Sequence, residues 1–129
     1  MIEPDIKTDL ERLTGLPAYP LILPSNVLEG VTYQRISDPK FNTGLASTRL
    51  VEARFQVAFI VLNDYAKALK LDETVRSTWE SIRHGYIGRY PVQAISRGTF
   101  HQSAEELTEN QKRYRVVRDF IITYAEDAA

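Results

Sequence analysis

The sequence has no cysteine among its 129 residues. This absence excludes disulfide bonds, thiolate nucleophiles and cysteine metal ligands together. An excess of charge of one sign is also missing, because 16 Lys and Arg residues face 17 Asp and Glu residues, for a formal net charge of −1. A general nucleic-acid-binding role therefore has no electrostatic support. No apolar run approaches the roughly 20 residues of a membrane span, so we expect no membrane segment.

Motifs that carry chemistry are scarce as well. His84 and His101 form neither an H-x-x-x-H nor an H-x-H metal pair, and the chain has no G-x-S-x-G elbow, Walker loop or dinucleotide fingerprint. The glycines of "GYIGRY" lack the preceding strand and following helix that a phosphate loop requires. We therefore expect no catalytic, cofactor-binding or metal-binding residues, and a protein that is not an enzyme. An enzyme would have to assemble its acid–base pair from residues distant in sequence.

The strongest pattern in the chain is a period of two over residues 50–62, "LVEARFQVAFIVL". Apolar residues alternate with polar ones at first and then fill both sets of positions, which predicts a strand that becomes buried on both faces toward its end. Apolar residues at helical spacing follow in residues 64–84, where Asn63-Asp64 can cap the start and Gly85 can close the end.

The remaining elements complete a coarse map of the chain. We expect a helix at about 4–14, an edge strand or extended link at 19–23, strands at 30–37, 92–101 and 112–125, polar loops at about 38–48 and 102–111, and a flexible tail from about 126. The order α-β-β-β-α-β-β predicts a single α+β domain over residues 1–129. Its sheet should be mainly antiparallel, with four to five strands and two helices on one face.

The closing strand carries an arginine on its apolar face. Tyr114, Val116, Phe120 and Ile122 alternate on that face, and Arg118 lies in the middle of it. Because a long side chain can pack its stem and extend its charged head, we expect Arg118 near the rim of the sheet. Its acidic partner should come from its own chain or from a neighbouring copy.

The charges around the last hairpin allow two interpretations. The predicted loop is acidic and the strand after it is basic, and either these charges screen each other in a solvated hairpin or they form a charge-polarised edge. In the second case the acidic loop of one copy meets the basic strand of the next, head to tail. With Arg49 and Arg54 on rim or polar-face positions, the candidate assembly residues are Arg49, Arg54, Glu105, Glu106, Glu109, Lys112, Arg113, Arg115 and Arg118.

With this order of elements in view, the chain resembles the tail terminator (tail-completion, or head–tail joining) proteins of long-tailed bacteriophages. The resemblance covers most of the chain. It rests on the opening helix and on the segments "LTGLPAYPLILP", "VTYQRISD", "RLVEARFQVAFIVLNDYAKALKLDETVRS" and "YRVVRDFIITYAE". These are patterns of hydrophobicity and order rather than an invariant catalytic motif, so no residue role is carried over by position.

The resemblance implies a virion protein of the tail or neck, assembled in the host cytoplasm. Such proteins form a homo-hexameric ring that caps the tail tube, ends its polymerisation and offers a surface to the head-completion or connector protein. The implied partners are further copies of the chain, the tail tube protein and that connector, with no membrane and no sequence-specific nucleic acid, although DNA can pass through such a ring.

Two alternatives remain at this stage. One is a small-molecule-binding or enzymatic α+β domain with a site between helix 64–84 and the sheet, although the apolar face within residues 51–61 offers no convergent polar groups. The other is a nucleic-acid-binding module that uses Lys112, Arg113, Arg115 and Arg118, which the near-neutral charge disfavours.

Overall fold

In the computed structural model, the described residues, 1–39 and 49–126, form an α+β fold in which two helices cover a six-stranded mixed sheet curved into a half-barrel. In this part of the chain no helix is long and apolar enough to cross a membrane. The predicted fold class is confirmed. The elements are α1 (Glu3–Thr14), β1 (Ala18–Pro20), β2 (Gly30–Ser37), β3 (Leu50–Leu62), α2 (Tyr65–Glu80), β4 (Arg83–Ile87), β5 (Tyr90–Thr108) and β6 (Gln111–Ala125).

The sheet has the order β1-β2-β3-β6-β5-β4, with β1–β2 as its parallel pair. The prediction of four to five strands, in the order α-β-β-β-α-β-β, was wrong because it missed β4. Helix α2 ends at Glu80 rather than at residue 84, and β4 follows almost at once. Only Ile87 of β4 is buried, so the strand has no apolar periodicity, and its conformation is set by pairing with β5.

The predicted loop 102–111 was also wrong. Strand β5 continues to Thr108 and β6 begins at Gln111, so only a tight turn at residues 109–110 separates them. The two strands pair as far as Thr108 opposite Gln111. Residues 99–106 are exposed on both faces, which explains why their sequence lacks the alternation that signals a half-buried strand. Of the predicted loop 38–48, residues 40–48 lie outside the described residues, as do residues 127–129 of the predicted tail.

Both helices pack on one face of the sheet, where they share a single core. Trp79 of α2 is fully buried and meets Phe120 of β6 edge-on, with ring centroids 4.9 Å apart. Its indole N–H donates a hydrogen bond of 2.8 Å to Asp9 Oδ2, a buried carboxylate of α1. This contact links the two helices, because the buried donor and the buried acceptor satisfy each other.

The opposite face of the sheet carries no helix among the described residues. Ala58, Ile60 and Val117 form a small second apolar cluster there, with Leu23 packed against it. Burial of β3 on both faces toward its end, expected from the sequence, is therefore confirmed. We call this side the helix-free face.

Candidate assembly surface

We call the hairpin formed by residues 99–108 of β5 and 111–118 of β6 the ribbon. Its lower part contacts the start of α2, where the Tyr65 hydroxyl donates a 2.6 Å hydrogen bond to Gln102 Oε1 and the Tyr65 ring lies 5.6 Å from that of Tyr114. Beyond this contact, residues 103–106 are exposed on both faces. A strand segment without a buried face is stabilised little by packing within its own chain. This is typical of an element that docks on a partner.

The ribbon neutralises part of its own charge. Arg113 donates a hydrogen bond of 2.5 Å to Glu105 Oε1, and Glu106 stands directly opposite Lys112 in the β5–β6 register. Charge screening within the hairpin, one of the two interpretations left open, is therefore present for Glu105 and Arg113. Glu109 lies exposed at the turn. A head-to-tail contact with another copy stays a prediction.

The prediction that Arg118 lies near the rim of the sheet was wrong. It is buried beneath α2, and its guanidinium donates two hydrogen bonds to the Asp72 carboxylate, at 3.1 and 3.0 Å. The same guanidinium lies 4.3 Å from the centroid of the Phe100 ring. The expected acidic partner therefore exists within the chain, but it comes from the helix above the strand. Arg118 holds α2 on the sheet and is not exposed to a partner.

Arg54 lies on the helix-free face at the centre of a polar cluster. Its Nη1 is 3.2 Å from Asp119 Oδ2, and the Thr99 hydroxyl donates a 2.8 Å hydrogen bond to the same oxygen. Asp119 is buried, while the Arg54 side chain is half-buried. A Cβ at Gly98 would collide with Arg54 Nη1, so glycine leaves the space that this side chain fills. Arg54 is thus partly committed to a contact within its own chain.

Arg49 is at the other end of the molecule from the ribbon. It is exposed next to the start of β3, and its carbonyl accepts a 3.0 Å hydrogen bond from the Glu126 N–H. The structure therefore does not bring the predicted residues into one patch. It groups Glu105, Arg113 and Arg115 on one side of the ribbon and places Arg49, Arg54 and Arg118 elsewhere.

A groove that sequence reasoning missed lies on the helix-free face, with a volume of about 610 Å³. Segment 21–25 forms one wall, and Leu21 and Ile22 on it are exposed by 67% and 76%. Arg113 and Arg115 contribute to the opposite wall. Among the described residues, no carboxylate forms an ion pair with Arg115. The apolar run "LIL" between Pro20 and Pro24 was the available signal, since an apolar segment that cannot join a sheet is often left exposed.

A second, smaller cavity of about 170 Å³ lies near the opposite end, lined in part by Arg35, Tyr90 and Tyr124. The Tyr124 hydroxyl is buried, and it has no hydrogen-bond partner in the part of the chain that the structure describes. Burial raises the pKa of Tyr124 to about 12, with Glu3, Tyr90 and Asp38 adding to the rise and Arg35 opposing it. Arg35 is already held by Glu3 and Asp38, so this cavity offers no free cation to a ligand.

The alternative site between α2 and the sheet contains ion-paired groups, but Arg76 Nε and Glu80 Oε1 are buried and form no hydrogen bond within the part of the chain that the structure describes. Asp72 pairs with Arg118, and Glu80 pairs with Arg97 at 2.9 Å. Within residues 1–39 and 49–126, no group of three or more His, Asp or Glu side chains is arranged to hold a metal ion. The charged groups beneath α2 are therefore arranged mainly as ion pairs.

Comparison with known proteins adds little to this description. No protein-family model matches the chain, and no curated protein matches it. A solved structure, whose name states no function, aligns with 98% of this chain and 99% of its own at 12% identity and a TM-score of 0.36.

Proposed function

We propose that the protein is a structural component of a bacteriophage tail that caps the tail tube as a homo-hexameric ring and offers its other side to the head connector. The resemblance of the sequence to tail terminator proteins suggests this role. The observation that carries it is the ribbon, because residues 99–106 are exposed on both faces and need a partner to become buried. The protein acts by binding and not by catalysis.

The physical task of a terminator is to match one surface and not another. The end of a growing tube exposes subunit surface that the next tube ring would cover, and a ring that binds there without offering the same surface again stops growth. This chain has two unlike sides, one covered by helices and one helix-free, as a cap with two different partners requires. Charge complementarity would then set which partner binds each side.

The groove and the adjacent ribbon are the surfaces that we expect to dock. The exposed Leu21 and Ile22 supply apolar area, and Arg115 supplies a cation without an ion-pair partner in the described residues. Interfaces characteristically combine an apolar centre with arginine. We expect an acidic group of the neighbouring copy or of the tube to meet Arg115.

Tube polymerisation tests the proposal directly. Purified tail tube protein is allowed to elongate with and without this protein, and tube length is measured by electron microscopy. We expect elongation to stop, with extra density at one end of each tube. Unlimited elongation together with bare tube ends at saturating protein would contradict the proposed function.

Two charge changes locate the contact. Arg115→Glu and Glu106→Gln break no ion pair among the described residues and place no like charges opposite each other in the β5–β6 register, so the fold should be retained, and we expect each to weaken capping about tenfold, which corresponds to roughly 1.4 kcal/mol. Glu73→Lys on the exposed side of α2 is the matched control and should cap as the wild type does. If all three variants capped tubes as the wild type does, the ribbon and the groove would not be part of the contact.

A further inference from the structure

The outer edge of β5 is open along the ribbon. Strand β4 pairs with β5 only as far as Ala94, and no other described strand covers β5 beyond that point. Between two register shifts the open edge runs from Phe100 to Glu106, and only its last two residues, Glu105 and Glu106, are acidic; the segment 99–104, "TFHQSA", contains no Asp, Glu, Lys, Arg or Pro. Natural sheets usually protect an edge of this kind with those residues or with a cover, because unpaired backbone groups recruit another strand.

The direction of the free backbone groups follows from one contact across β3 and β6. Asn63 N–H donates to the Lys112 carbonyl, and Lys112 N–H donates to Asn63 Oδ1, both at 2.8 Å, so the backbone of Lys112 faces β3. Backbone groups alternate in direction along an antiparallel strand. The backbones of Arg113, Arg115 and Val117 therefore face β5.

The β5–β6 register then assigns the groups of β5. Glu105, Ser103 and His101 stand opposite those three β6 residues and use their backbone groups in the ladder. The residues between them direct their N–H and C=O groups to the open side. The outer edge is thus formed by the backbones of Phe100, Gln102, Ala104 and Glu106.

A second copy of this chain offers the matching edge. We propose that two free copies pair through β5 in an antiparallel manner, about a two-fold axis that passes beside Ser103. A two-fold axis perpendicular to the sheet keeps the faces of both copies aligned. In this register all four outer-edge residues of each copy are paired, Phe100 with Glu106 and Gln102 with Ala104 of the other copy.

Side chains and lengths agree with this register. His101 stands opposite Glu105 of the second copy, and such a pair favours association. Strand β4 of the second copy pairs with its own β5 no farther than Ala94 and lies beyond the turn of the first copy, so it does not obstruct the pairing. The contact is isologous, because the same edge of both copies takes part. Neighbours in a closed ring with two different faces make heterologous contacts, so this pairing cannot join neighbours in such a ring. The pairing therefore belongs to the unassembled protein, goes beyond the proposed function and is independent of it.

Backbone substitution tests the edge. Ala104→Pro removes an outward N–H and leaves the β5–β6 ladder intact, so we expect the dimer dissociation constant to rise at least tenfold, measured by analytical ultracentrifugation. Ala104→Val keeps the N–H and is the matched control, which should dimerise as the wild type does. Fluorescence of Trp79 reports that the fold is retained. A wild type that is monomeric at all accessible concentrations, or a proline variant that dimerises normally, overturns the proposal.

A cysteine cross-link tests the register, since the chain has no cysteine of its own. Residues paired with themselves at a non-hydrogen-bonded position have Cα atoms about 4.5 Å apart, which permits a disulfide. We expect Ser103→Cys to form a covalent dimer under mild oxidation and the exposed Ser77→Cys on α2 to remain a monomer. Equal cross-linking of the two variants overturns the predicted register. Tube capping is assayed separately, so its failure bears on the proposed function alone.

Discussion

The buried ion pair between Arg118 and Asp72 gives the sharpest stability prediction. Replacing Arg118 by Met removes the guanidinium and leaves a carboxylate whose side chain is only 5% exposed. The nearest remaining cation is Arg76, with its Nε 3.9 Å from Asp72 Oδ2. Breaking a buried pair by removing one partner costs about 3–5 kcal/mol, and because Arg76 offers partial compensation we expect about 3 kcal/mol for Arg118→Met.

Removing both partners should cost much less than removing either one. An apolar pair in place of a buried ion pair is often neutral, so Arg118→Met combined with Asp72→Leu should lie within about 1 kcal/mol of the wild type. The coupling energy of the double-mutant cycle should then be at least about 2 kcal/mol. Lys7→Met, which breaks an exposed pair with Glu11, is the control and should cost under about 0.5 kcal/mol.

Urea unfolding followed by tryptophan fluorescence measures these free energies. Trp79 is the single tryptophan of the chain and is fully buried, so its emission reports loss of the core. At fixed protein concentration, a loss of about 3 kcal/mol lowers the urea midpoint by about 1–3 M. A cost under about 1 kcal/mol for Arg118→Met, or a double variant whose cost equals the sum of the single costs, would refute the reasoning.

Three further predictions follow from buried polar groups and from a close backbone approach. Asp9→Ala leaves the Trp79 indole N–H buried without an acceptor, so we expect a loss of about 1–3 kcal/mol in urea unfolding, and less for Asp9→Asn. The folded-state pKa of Tyr124, about 12, lies above its ordinary value of 10.0. The stabilisation that comes from the neutral Tyr124 hydroxyl should therefore be fully present below pH 10, and the free energy of unfolding should fall by about 1.4 kcal/mol per pH unit from pH 10 to 12. Tyr124→Phe should remove this part of the pH dependence; an unchanged slope would contradict the assignment. Gly98→Ala should displace Arg54, and a cost of about 1 kcal/mol in the same assay is expected, whereas an effect near zero would show that Arg54 relocates freely.

Sequence patterns predicted the elements in which the buried side chains recur with the period of the strand or helix. Strand β3 has the predicted bounds, residues 50–62, because its alternation reflects a face that is buried along its whole length. Helix α1 was predicted within a residue, because Pro4 favours its start and Gly15, with φ of 71°, closes its end.

Elements whose conformation depends on a neighbouring strand were not predicted. Strand β4 and the far half of β5 have almost no buried side chains, so their pairing leaves no periodic signal in the sequence. Arg118 shows a similar limit for the candidate site. Its face was predicted correctly, but its partner Asp72 lies 46 residues away in the chain, and only the packing of α2 on the sheet brings the two side chains together.

The count of copies bound at the tube end tests the central claim most directly. Labelled protein is mixed with preformed tail tubes, unbound protein is removed, and the copies on each tube are counted by single-molecule photobleaching. We predict a hexameric cap at one end of each tube and no label along its length. Label spread along the tube, or tubes without label at saturating protein, would contradict the account.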